Sequence, residues 1–97
     1  MSVSKMLMHI VEIFAILLFS GFMKLQKAYE AIVIGHQIRY LRRVKDMSQK
    51  TLAQKIGVSI GWIGRIERGL YLPNLKLLFK IAKALQVKAK DLFPAEL

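Results

Sequence analysis

Residues 48 to 75 hold the pattern that most constrains this chain: two short apolar stripes at helical spacing, separated by Gly57-Val58-Ser59 and closed by Gly69. Leu52, Ala53 and Ile56 place one apolar face on a helix from about Gln49 to Ile56. Gly57 ends that helix, because glycine enters the left-handed conformation at a helix C-terminus without steric cost. Val58 is a single apolar plug. Ser59 is a good N-cap, its hydroxyl accepting an amide proton left free at the start of the next helix. Ile63 and Ile66 supply the second helix with its buried stripe, and Gly69 stops it. So short a connection forces the two helices to cross steeply, and the outer face of the second protrudes.

The full pattern is Ser48-Gln49-x-x-Leu52-Ala53-x-x-Ile56-Gly57-Val58-Ser59-x-x-x-Ile63-x-x-Ile66-Glu67-Arg68-Gly69-x-x-x-Pro73-Asn74-Leu75. It resembles the helix-turn-helix of the Cro and phage-repressor type, the xenobiotic-response-element group of bacterial and phage regulators. The resemblance covers roughly residues 34 to 93 and has several independent parts. Ile34-Gly35-x-x-Ile38-Arg39-x-Leu41-Arg42 is similar to the family's first helix, and Leu78-x-x-Ile81-Ala82-x-Ala84-Leu85-x-Val87 to its fourth. Asp91-Leu92-Phe93 resembles its short closing helix. The resemblance implies an all-α, five-helix, lambda-repressor-like DNA-binding domain over residues 31–97.

Charge points the same way. The chain of 97 residues has 16 basic and six acidic residues, a formal charge of +10. Residues 1–30 carry three Lys and two Glu, whereas residues 31–97 carry thirteen basic and four acidic side chains. The excess therefore lies in the helix-turn-helix half, where it favours a polyanion through counterion release. No cysteine is present, which excludes disulfides and thiolate metal sites and suits a reducing cytoplasm. His9 and His36 are the only imidazoles, and neither has a second ligand at metal spacing. Without a phosphate-cradling glycine loop or a nucleophile beside a base, no enzyme, catalytic residue, metal, cofactor or small-molecule substrate is expected.

Within the resemblance, individual residues take expected roles. Ile60, Gly61 and Arg65 match positions that reach base edges in the major groove. Ile60 and Gly61 depart from the hydrogen-bonding side chains frequent there, so Arg65 alone keeps an obvious capacity to read guanine, while Ile60 can pack on a thymine methyl. Gln49 matches a glutamine that touches the DNA backbone, although Ser48-Gln49 can equally serve as a helix cap. Arg43, Lys50, Trp62, Arg68 and Asn74 are the further candidates for backbone contact, and Asn74 also suits the cap of a helix starting at Leu75. Trp62 has three readings: against sugar-phosphate, against a partner protein, or partly buried between helices. Arg42 and Glu67 match a structural ion pair joining the first and third helices of the domain. Gly61 and Gly64 each cost a helix about 1 kcal/mol relative to Ala, and either admit DNA closely or mark relaxed reading.

Beyond Gly69, Leu70, Tyr71 and Leu72 stand where lysines are frequent in the family. Leu77 and Phe79 add apolar surface beside an expected core stripe of Leu75, Leu78, Ala82 and Leu85. That surplus, with the geometry of palindrome reading, implies a homodimer.

Residues 1–30 form an additional apolar helix, from which residues Lys24 to Val33 lead continuously into the first domain helix. The eighteen residues Met6 to Met23 are interrupted only by His9, Glu12, Ser20 and Gly21. As a helix they extend roughly 27 Å, barely enough to cross a bilayer, and a central Glu12 would oppose insertion by about 3 kcal/mol. Three readings stand: a membrane anchor through residues 6–23, a helix buried in a dimer or against the domain, or an overextended start. A secretory signal lacks a small-residue cleavage site. The expectation is a cytoplasmic, dimeric transcriptional regulator that represses by binding double-stranded DNA. The alternative is a helix-turn-helix used for protein interaction, membrane-tethered, with DNA reading lost.

Overall fold

The computed structural model describes residues 2–93, so the last four residues of the expected 31–97 unit lie outside the described part. Four α-helices are present among the described residues: α1 Val3–Val44, α2 Gln49–Ile56, α3 Ile60–Glu67 and α4 Leu75–Leu85. The closing segment Ala89–Leu92 is a 3-10 turn, which corrects the five-helix expectation. Pro94 supplies the physical reason. It disfavours α geometry at Phe93, which is extended at φ −103° and ψ 111°, so the segment cannot lengthen into an α-helix.

The apolar N-terminal helix runs without interruption into the first helix of the domain, and α1 spans 42 residues. Ser2 caps its start, its hydroxyl accepting from the Lys5 amide at 3.4 Å. No proline occurs before Pro73 to end it. Burial changes abruptly along α1: residues 2–29 are exposed, whereas Ala31, Ile34, Gly35, Ile38 and Arg42 are buried. The exposed part projects, giving a radius of gyration of 19.1 Å, against about 12.5 Å for a compact domain of this length.

The buried end of α1 packs on α3, α2 packs on α3 and α4, and the 3-10 turn closes on α4 and α1. Ile38, Leu52, Ile63, Ile66, Ile81, Leu85 and Leu92 form the fully buried centre. Each such side chain contributes about 1.5–3 kcal/mol through removal from water. The α4 stripe is Leu78, Ile81, Ala82 and Leu85; Leu75 is 61% exposed and does not belong to it. At that end Tyr71 and Leu72 fold onto the core instead, leaving the first turn of α4 outside.

Every α-helix is closed by a backbone hydrogen bond reaching five positions back, from Met47, Val58, Leu70 and Val87. After α2, the amides of Gly57 and Val58 both reach the Ala53 carbonyl, at 2.9 and 3.0 Å. After α3, the Leu70 amide reaches Arg65 at 2.9 Å and Gly69 reaches Ile66 at 3.1 Å. Asp46 and Gln86 play the corresponding part after α1 and α4, at φ 52° and 58°. Gly69 meets a second demand as well. At φ +77°, a Cβ there would lie 2.7 Å from Ile32 Cα, so the turn seats directly on α1.

Candidate nucleic-acid interface

The protruding element is α3, and two caps fix its neighbourhood. Ser48 accepts from the Thr51 amide at 3.0 Å at the start of α2, and Ser59 from the Trp62 amide at 3.2 Å at the start of α3. Ile63, Ile66 and Glu67 face inward. Ile60, Gly61, Arg65 and Arg68 face solvent, with Gly64 half-buried among them. The expected base-reading set therefore shares one accessible face. Across its middle the backbone is bare: a Cβ on Gly61 or Gly64 would meet nothing nearer than 3.9 Å.

Glu67 anchors this helix from behind. Its side chain is fully buried and accepts from Arg42 Nε at 2.7 Å, Arg42 Nη2 at 3.0 Å, Gln49 Nε2 at 3.1 Å and Arg39 Nε at 3.3 Å. Arg42 Nη1 also donates to the Met47 carbonyl at 2.7 Å. Among the described residues no buried side-chain nitrogen or oxygen is left without a partner. Burial pushes the Glu67 pKa upward. The hydrogen bonds of Arg42 and Gln49, the charge of Arg42 and the hydrogen bond of Arg39 outweigh that push and hold it below the ordinary value of 4.5. One carboxylate thus ties α1, the N-terminus of α2 and α3 together, and sets the angle at which α3 stands out.

The other candidates are distributed around that face. Gln49 is half-buried and gives one amide hydrogen to Glu67; its Nε2 carries a second. Lys50 and Arg43 are exposed. Arg43 lines a surface depression on α1 with His36, Arg39, Tyr40 and Val44. Asn74 caps α4, its Oδ1 accepting from the Leu77 amide at 2.9 Å. Arg68 bends back, Nε donating to the Gly64 carbonyl at 3.1 Å.

Trp62 is 38% exposed. Its ring lies 4.5 Å from that of Tyr71, tilted by 44°, and the Arg65 guanidinium sits 5.7 Å from the Trp62 ring centre. This contact restricts Arg65 through cation–π attraction. It also gives the apolar Leu70-Tyr71-Leu72 segment a role, since Tyr71 braces α3. Sequence reasoning missed the Tyr71 contact and the shared use of Glu67 by Arg39 and Gln49. The partners of Glu67 are 28 and 18 positions away, so no local pattern signals them.

Comparison with known proteins adds a common description. Residues 38–92 match the helix-turn-helix family model. The chain is 47% identical over 58 residues to an uncharacterized HTH-type transcriptional regulator of Methanocaldococcus jannaschii, covering 60% of this chain and 88% of that protein. It is 36% identical over 67 residues to the uncharacterized HTH-type transcriptional regulator YazB of Bacillus subtilis, covering 69% of this chain and 97% of the relative. Among solved structures, the restriction-modification controller protein C.AhdI from Aeromonas hydrophila superimposes with a TM-score of 0.65 at 34% identity, over 67% of this chain and 98% of that one.

Proposed function

Because the chain belongs to the helix-turn-helix family of transcriptional regulators, of the Cro and phage-repressor type, we propose that it binds double-stranded DNA sequence-specifically as a homodimer and represses transcription by occupying a promoter. The observation that carries this reading is the outer face of α3. It combines little side-chain cover at Gly61 and Gly64 with two exposed arginines, Arg65 and Arg68, and is held from behind by Glu67.

In this reading α3 enters the major groove and α2 crosses the backbone. Arg65, steadied by Trp62, reads guanine through N7 and O6, and Ile60 packs on a thymine methyl. The glycines let the helix axis approach the base edges. Gln49 donates its second amide hydrogen to phosphate. Lys50, Arg43, Arg68 and the capped start of α4 at Asn74 supply further backbone contacts, which position the protein without reading sequence. The exposed apolar side chains of α4, Leu75 and Phe79, support pairing of two copies.

The test is a salt titration of duplex binding by the full chain in mild detergent, followed by fluorescence of Trp62, the single tryptophan. Arg65→Ala is expected to weaken binding by about 1–3 kcal/mol and to relax selectivity at one base pair. Arg68→Ala is expected to weaken all sequences alike and to lower the salt slope by about 1. Equal, unselective binding by wild type and Arg65→Ala would leave only nonspecific charge and would favour the protein-interaction reading.

A further inference from the structure

The projecting half of α1 has no partner among the described residues. Its most apolar 18-residue window has a mean hydropathy of 2.1, and none of that window is buried. A helix of this kind needs a cover, and the distribution of side chains around it decides which. Ile10 and Leu17 lie on one side, Met8 and Phe19 on the opposite side, and all four are more than half exposed. One helix of a second copy covers a single stripe. A seam that buried Ile10 and Leu17 would leave Met8 and Phe19 in water. Lipid surrounds the helix on every side.

We infer that residues Met6–Met23 of α1 cross a lipid bilayer, with the basic helix-turn-helix domain on the cytoplasmic side. Four observations converge. The segment's length, roughly 27 Å, approaches the hydrocarbon thickness of about 30 Å. As part of one continuous helix it satisfies its backbone polar groups internally, the condition for spanning. Lys5 stands at one end, with Lys24, Lys27 and Tyr29 at the other, where long cationic and aromatic side chains reach the interface. The flank within about twenty residues after the span carries Lys24, Lys27, Arg39, Arg42 and Arg43 against Lys5 alone before it, a bias that places the domain side in the cytoplasm.

The polar residues inside the span are arranged consistently with this. His9 and Glu12 are one turn apart, His9 Nδ1 3.9 Å from Glu12 Oε2, close enough to partner each other within the span. Both lie in the N-terminal half of the span, toward the outer interface. Ser20 falls on the same side of the helix and can return its hydroxyl proton to a backbone carbonyl of the preceding turn.

The experiment uses the full chain expressed in a bacterial host. The expected result is flotation with membranes in a sucrose gradient at the full 11.1 kDa, resistance to alkaline carbonate, and release by detergent. The Phe14→Arg/Leu18→Arg pair, which touches nothing in the domain, is expected to abolish flotation. The chain has no cysteine, so single replacements report sidedness. Ser4→Cys should react with a membrane-impermeant maleimide in intact cells, and Lys76→Cys only after permeabilisation. A soluble wild-type chain of defined oligomeric state would overturn the proposal, because copies of the chain would then cover the helix. Loss of the segment by cleavage, labelling of neither site in intact cells, or labelling of Lys76→Cys alone would overturn it too. Fractionation does not depend on DNA binding, so failure here and failure of the regulator reading are distinguishable.

Discussion

Arg42 grips Glu67 at two points, Nε 2.7 Å from Oε2 and Nη2 3.0 Å from Oε1, across 25 positions of sequence. Both side chains are buried. Removing either partner strands the other charge away from water, which costs about 3–5 kcal/mol. Arg42→Met should therefore lower unfolding stability by that order, measured by urea denaturation followed at Trp62. An effect below about 0.5 kcal/mol, the range of ordinary surface substitutions, would show that the pair is not holding α3.

Acid should weaken the same joint. The folded-state pKa of Glu67 is lowered from 4.5. Its stabilising contribution is therefore fully present above that ordinary value and is lost as pH falls through the lower folded value. The urea midpoints of wild type and Glu67→Gln should differ most at neutral pH and converge only as pH falls below the lowered folded-state value. A constant difference across the acid range would mean that Glu67 does not titrate with unfolding.

Glycines at two sites should separate conformational from steric constraint. Gly57 has φ +75° with open space around its α-carbon. Gly57→Ala should cost only the left-handed penalty, about 1–2 kcal/mol. Gly35 has an ordinary helical backbone, yet a Cβ there would collide with the Ile66 carbonyl. Despite alanine's better helix propensity, Gly35→Ala should drive α1 from α3 and be the more damaging, by melting temperature.

The bare face of α3 predicts opposite movements of stability and binding. Gly61→Ala and Gly64→Ala each meet only an ordinary van der Waals neighbour at 3.9 Å and should each stabilise the fold by up to about 1 kcal/mol. Duplex affinity should fall in the same variants, because two methyl groups hold the helix axis off the base edges. Thermal melts and binding titrations on one preparation check both. Unchanged affinity would remove the glycines from the reading mechanism.

What could be read from sequence was local. Ser48, Ser59 and Asn74 cap helices because a short oxygen-bearing side chain reaches an amide three positions on, at 2.9–3.2 Å. The Arg42–Glu67 pair was legible only through resemblance. The further use of Glu67 by Arg39 and Gln49 depends on how three helices meet. Leu75 fits the apolar period of α4 and is nonetheless exposed, because the period does not show where the core ends. The closing helix, too, is implied only by resemblance, and the segment, four residues long and close before a proline, stays a 3-10 turn.

Because Val3–Val44 is one uninterrupted helix, its projecting half and its domain half share a single rotational phase. Each residue added near Tyr29 would swing α3 about 100° around the axis of α1 and carry it about 1.5 Å along that axis. Seven added residues would restore the heading to within about 20°. The number of residues in this stretch, more than their identity, therefore fixes the direction in which the recognition helix faces.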